Sequence, residues 1–122
     1  MGMATKKRPA SVHIPSRLER RFELLWQTVD GSALQSEFRF HATRKWRADY
    51  AHLESRTLIE IEGGAWIGGR HTRAAGFVAD AEKYLEAALA GWRVVRLVDR
   101  QLTLETVGRV AAAVKSGWRG QG

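Results

Sequence analysis

A chain of 122 residues with 44% apolar side chains is long enough for one domain with its own core, and the absence of cysteine excludes disulfides, zinc ribbons and thiol catalysis. Twenty Lys and Arg against thirteen Asp and Glu give a net charge of +7, a field that attracts polyanions, nucleic acid before membrane lipid. No apolar run approaches the roughly 18–20 residues that span a bilayer, and no hydrophobic segment follows the basic start at Lys6, Lys7 and Arg8, so the expectation is a soluble, cytoplasmic protein.

Residues 1–15 hold both prolines, a basic run and no period, and read as a mobile or loosely docked arm. Ser16 then caps a helix whose apolar positions Leu18, Phe22, Leu25 and Trp26 recur at spacings of three and four. Asp30-Gly31-Ser32 breaks it. Glu37 to Phe40 suits a short strand, and His41 to Trp46 is a basic connection. Arg47 to His52 and Thr57 to Glu62 read as the two arms of a hairpin around Leu53-Glu54-Ser55-Arg56.

A glycine-rich loop runs from Gly63 to His71. Phe77, Ala81, Tyr84, Leu85, Ala88 and Leu89 then form a helical stripe that Gly91 stops. Trp92 to Val98 reads as a buried strand, Thr103 caps a last helix, and the chain after Ser116 reads as a loose tail. The domain proper is thus 16–116, with 117–122 outside it. A strand–helix–strand crossover beside an antiparallel hairpin predicts an α/β fold: a mixed central β-sheet flanked by helices.

The hairpin permits a geometric argument. With the loop centred between Glu54 and Ser55, Asp49 lies opposite Glu60, and the two-residue alternation puts Glu62 on the same face. Tyr50, Ile59 and Ile61 turn to the core. Opposed carboxylates repel, and a divalent cation relieves the repulsion; hard oxygen donors favour magnesium or manganese. A solvated acidic face neutralised by Arg47 and nearby arginines is the structural alternative.

Asp49 followed by Glu60-Ile61-Glu62 resembles the motif of the PD-(D/E)XK nuclease superfamily, whose core has the element order read here. The longer string from His41 to Asp49, with Glu60 to Trp66, Gly69-Arg70-His71, Asp80, Lys83 and Gly91 to Val94, is similar to small phage-type nucleases, including Holliday-junction resolvases. The resemblance covers roughly residues 17–98 and implies a restriction-endonuclease-like core. It also implies metal-assisted phosphodiester hydrolysis, with Asp49, Glu60 and the Ile61 carbonyl binding magnesium and leaving 5′-phosphate and 3′-hydroxyl ends.

The lysine that the family carries two residues after the acid is Glu62 here. Either Lys83 fills that role from the following helix, or Glu62 acts as base or extra ligand. The family's glutamate on the first helix corresponds to Glu19, with Glu23 second. His71 matches the region of a histidine used by mismatch-repair endonucleases.

His41, Arg44, Lys45 and Arg47 before the acids, and Arg70, His71 and Arg73 after the glycine loop, are the residues placed to meet DNA phosphates. A junction resolvase makes two symmetric nicks and implies a homodimer. A nicking, restriction-type or mismatch-repair-type endonuclease is the neighbouring reading, and a non-catalytic basic nucleic-acid-binding module is the reading from another class.

Overall fold

The computed structural model describes residues 13–63 and 70–119, the first five of the second stretch as backbone alone. The glycine-rich segment 64–69 with Trp66, the arm 1–12 and residues 120–122 lie outside the described residues. So do the side chains of Arg70, His71 and Arg73.

Helix α1 spans Arg17–Val29. Its start is a reciprocal capping box: the Ser16 hydroxyl accepts from the Glu19 N–H at 3.1 Å, while a Glu19 carboxylate oxygen accepts from the Ser16 N–H at 2.8 Å. Strands β1 (Gln35–Arg39), β2 (Arg47–His52) and β3 (Thr57–Glu62) follow, then α2 (Arg70–Leu89), β4 (Arg93–Val98), a single 3-10 turn at Asp99–Gln101, and α3 (Leu104–Lys115). The α2 helix begins at Arg70, so Arg70 and His71, read from sequence as the end of the loop, already have helical backbone.

The sheet is mixed, in the order β1-β2-β3-β4, antiparallel except for the β3–β4 pair. In the hairpin Tyr50 pairs with Ile59, Ala51 with Leu58 and His52 with Thr57, the register the loop centre predicts. Helices α1 and α3 cover one face, where Leu18, Phe22, Trp26, Tyr50, Ile59, Leu97, Leu102, Val107, Ala111 and Val114 form the main core. Helix α2 lies on the other face over a smaller cluster of Ala48, Ala51, Leu58, Ala87 and Trp92.

Two expectations are corrected, for β4 and for the C-terminal residues, and the stripe of α2 finds its side. Strand β4 is an edge strand, not a buried one: among the described residues it pairs only with β3, and both Arg93 and Arg96 are exposed. The apolar stripe of α2 does not enter the core; Phe77, Leu85 and Leu89 face outward. Nor is the chain after Ser116 loose as far as Arg119. Gly117 donates to the Val114 carbonyl and Trp118 to that of Ala113, the paired bonds of a Schellman ending. This turn lays Trp118 against the core, where its indole N–H donates to the Thr57 hydroxyl at 2.9 Å.

The same ending closes α2, with Gly91 donating to Ala88 and Trp92 to Ala87. Gly91 has φ +92°, a conformation that an L side chain resists. Gly108, inside α3, has ordinary space for a Cβ, its nearest neighbour being a Val29 methyl at 3.8 Å. In urea unfolding, Gly91→Ala is therefore expected to destabilise by about 1–2 kcal/mol, and Gly108→Ala to stabilise by about 0.5–1 kcal/mol.

Candidate functional site

The site lies where the β2–β3 ladder opens. Beyond Tyr50–Ile59 a side chain takes over from the backbone: Asp49 Oδ2 accepts from the Ile61 N–H at 2.7 Å. Alternation is irregular here too. Ala48 and Ala51 both belong to the α2-side cluster although they stand three positions apart, which a regular strand with period two does not allow. In register with Asp49 on β1, between the pairs Ser36–Tyr50 and Phe38–Ala48, stands Glu37 with φ +52°.

Three carboxylates lie around this opening, near enough to act on one another but not as one tight group of ligand atoms. Asp49 is half-buried, with Glu60 from β3 and Glu19 from α1 close enough to act on it. Burial pushes its carboxyl up; the Ile61 N–H opposes this, while the charges of Glu60 and Glu19 and a hydrogen bond with Glu19 add to the rise, to about 7. Glu60 is buried and also raised, chiefly by desolvation, with Lys83 offsetting part of the effect. Lys83 reaches across from α2, its Nζ donating to Glu60 Oε2 at 2.9 Å.

Of the two glutamates on α1, Glu19 faces Asp49, whereas Glu23 accepts the Tyr50 hydroxyl at 2.6 Å. The capping box makes this geometry local: the bond from the Ser16 N–H holds the Glu19 carboxylate at the start of the helix. Glu62 is half-buried and accepts from Arg96 Nε at 2.9 Å; Arg96 in turn lies 3.6 Å from Asp80 of α2. Glu60 and Glu62 are thus each drawn to their own cation, and with Asp49 they do not form one tight group of potential ligands.

Such a group does occur beside them. Among the described residues, His13, Glu19 and Glu37 bring ligand atoms within 4.8 Å of one another. His13 belongs to the segment read from sequence as a mobile or loosely docked arm, and Glu37 to one read as an ordinary strand. The register of β1 on β2 would have placed Glu37 beside Asp49, but the irregular connection 40–46 gives no centre from which to count it.

The basic residues divide. Arg44 and Lys45 are exposed on the β1–β2 connection, and Arg44 stacks over the Trp46 ring. Arg47 opens β2 and lies 3.5 Å from Glu37. His41 is turned into its own loop: Nδ1 accepts from the Thr43 and Arg44 N–H groups, and Nε2 lies 3.6 Å from Glu86 of α2.

No family model, curated protein or solved structure matches this chain.

The raised Asp49 carboxyl has a consequence for stability. The folded state retains this proton above 3.8, where the unfolded aspartate releases it, so the contribution is complete below 3.8 and is lost as pH rises through about 7. Asp49→Asn keeps an acceptor for the Ile61 N–H and removes the charge. In chelator it should match wild type at about pH 4 and exceed it by roughly 1–2 kcal/mol at about pH 8, a figure discounted for the partial exposure of the group. Urea titrations at the two pH values check this; a gain of equal size at both would contradict it.

Proposed function

We propose that this chain is a magnesium-dependent DNA endonuclease with a PD-(D/E)XK-type core. One observation carries the reading: carboxylates from α1, β2 and β3 gather at the open end of a strand pair, and a lysine from α2 is bonded to one of them. Half-buried acids at the mouth of a sheet, one of them driven to hold a proton at neutral pH, are costly to a fold and are concentrated at sites that use them.

The donors are of the kind a hard divalent cation takes, although among the described residues the tight group is His13, Glu19 and Glu37 beside them. They are carboxylate oxygens partly withdrawn from water, and their mutual repulsion is what such an ion relieves. Asp49 and Glu60 would hold magnesium beside the main chain of Ile61, and manganese should substitute. When bound, the ion supplies an acidified water and neutralises charge on the phosphate oxygens.

The chain's own residues supply the rest. Lys83 provides the positive charge that the family's motif places where Glu62 stands here, while Glu62, held by Arg96, steadies the end of β3. Glu19, fixed by its cap beside Asp49, would point toward the same ion. Arg44, Lys45 and Arg47, just upstream of Asp49, would meet phosphates along the duplex and so position it without reading its sequence. A four-way junction is the substrate within this class that two symmetric sites would suit.

Supercoiled plasmid, linear duplex and a synthetic four-way junction, each incubated with magnesium, test the proposal. Wild type should cut with magnesium or manganese and not in chelator. Asp49→Asn and Glu60→Gln should each lose cleavage by about 10²–10³-fold or more while still binding DNA, and Lys83→Ala by about 10²-fold. Paired symmetric nicks in the junction, with linear duplex spared, select the resolvase. Cleavage untouched by both acid substitutions removes this site. DNA bound and never cut by wild type leaves a basic binding module.

A further inference from the structure

Helix α2 turns its apolar side away from the protein it belongs to. From residue 75 to its end, Ala87 is its one buried residue, with Lys83 and Tyr84 half-buried beside it. Phe77, Val78, Leu85 and Leu89 are 72, 55, 56 and 72% exposed, and Ala81 and Ala88 among them are exposed as well. At about 100° per residue these six positions fall within roughly 120° of the helix circumference, one unbroken stripe more than three turns long. The other exposed large apolar residues, such as Ile14, Leu24, Leu53 and Leu104, sit on different elements. Scattered exposure of that kind needs no partner, whereas a continuous stripe does.

Charge narrows what the partner is. Between residues 75 and 90 the charged side chains are Asp80, Glu82, Lys83 and Glu86. The one cation, Lys83, is bonded inward to Glu60. In a chain of net charge +7, this side of α2 carries no outward lysine or arginine over those residues, and a polyanion has nothing to hold there.

We propose that the stripe packs against the same stripe of a second copy of this chain, the two α2 helices antiparallel about a twofold axis level with residue 83. The pattern is self-complementary in that arrangement. Leu85 meets the partner's Ala81, Val78 meets the partner's Ala88, and Phe77 meets the partner's Leu89, so bulk falls against small residues near the axis and large side chains close the ends. The stripe offers roughly 450 Å² of apolar surface per copy, so two copies bury close to 1,000 Å² of it, the size at which a specific but weak interface begins.

The arrangement does not depend on the nuclease reading. If that reading holds, the stripe lies on the opposite side of α2 from Lys83, and the dimer carries two uncovered sites related by symmetry.

Sedimentation of the full chain over a concentration series tests the pairing. Wild type should pass from monomer to dimer with a Kd in the range of about 1–100 µM. Leu85→Glu and Phe77→Glu should stay monomeric with unchanged circular dichroism, and should melt as wild type does at concentrations below its dimerisation range. The chain lacks cysteine, so single substitutions give clean probes: an equimolar mix of Ala81→Cys and Leu85→Cys copies should form disulfide dimers under mild oxidant much faster than either alone. A wild type that stays monomeric throughout the series overturns the proposal, as does a dimer that survives both glutamate substitutions. Crosslinking fastest between two Leu85→Cys copies rejects the antiparallel register. Dimerisation that appears only after removal of residues 1–12 assigns the stripe to the chain's own N-terminal segment instead.

Discussion

The hydrogen bond from the Ile61 N–H to the Asp49 carboxylate is the point from which the rest of the site is arranged. Below it, β2 and β3 are joined by an ordinary antiparallel ladder. Above it, a carboxyl side chain occupies the place of a backbone acceptor. The bond is short, 2.7 Å, and fixes the carboxyl group at the end of the pair. Being fixed, it cannot swing away from Glu60 on the next strand or from Glu19 on α1, and the repulsion among the three is built into the fold.

That repulsion also explains how α2 is attached. From residue 75 on, its apolar side is turned out and Ala87 is the one buried residue. Its other contacts among the described residues are Lys83 with Glu60, Asp80 with Arg96 and through it Glu62, Glu86 near His41 of the β1–β2 connection, and the Tyr84 ring beneath the Arg96 guanidinium. Removing one partner of a buried ion pair leaves the other charge stranded and costs more than the pair itself contributes. The Lys83–Glu60 bond therefore holds the helix against the sheet as well as holding the lysine beside the acids. The two sides of the sheet thus differ in kind: α1 and α3 are held by packing, and α2 largely by charge.

Much of this was legible before any coordinates. Apolar spacings of three and four gave the helices, Ser16, Thr103 and Gly91 marked their ends, and the centre of the loop 53–56 fixed the register of the hairpin. Each of these signals is local, in that the residues concerned lie within a few positions of one another and their geometry follows from the backbone period. That register puts Asp49 level with Glu60, although the backbone pairing itself stops at Tyr50 and Ile59.

What only the tertiary structure decided was which distant groups those acids meet and which apolar surfaces find a partner. Periodicity marks the stripe of α2 but carries no direction, and the helix turned its polar side to the sheet because Glu60 and Arg96 were there to receive Lys83 and Asp80. The apolar run of β4 looks like an interior strand, yet its place at the edge depends on how many strands precede it in the sheet. Glu37 and His13 came to the site through the packing of β1 and of the residues before α1, with no countable spacing to announce them. Sequence determined the elements and the one register that a tight loop can set; long-range packing and charge pairing chose the neighbours, because those choices depend on separations along the chain that no local period encodes.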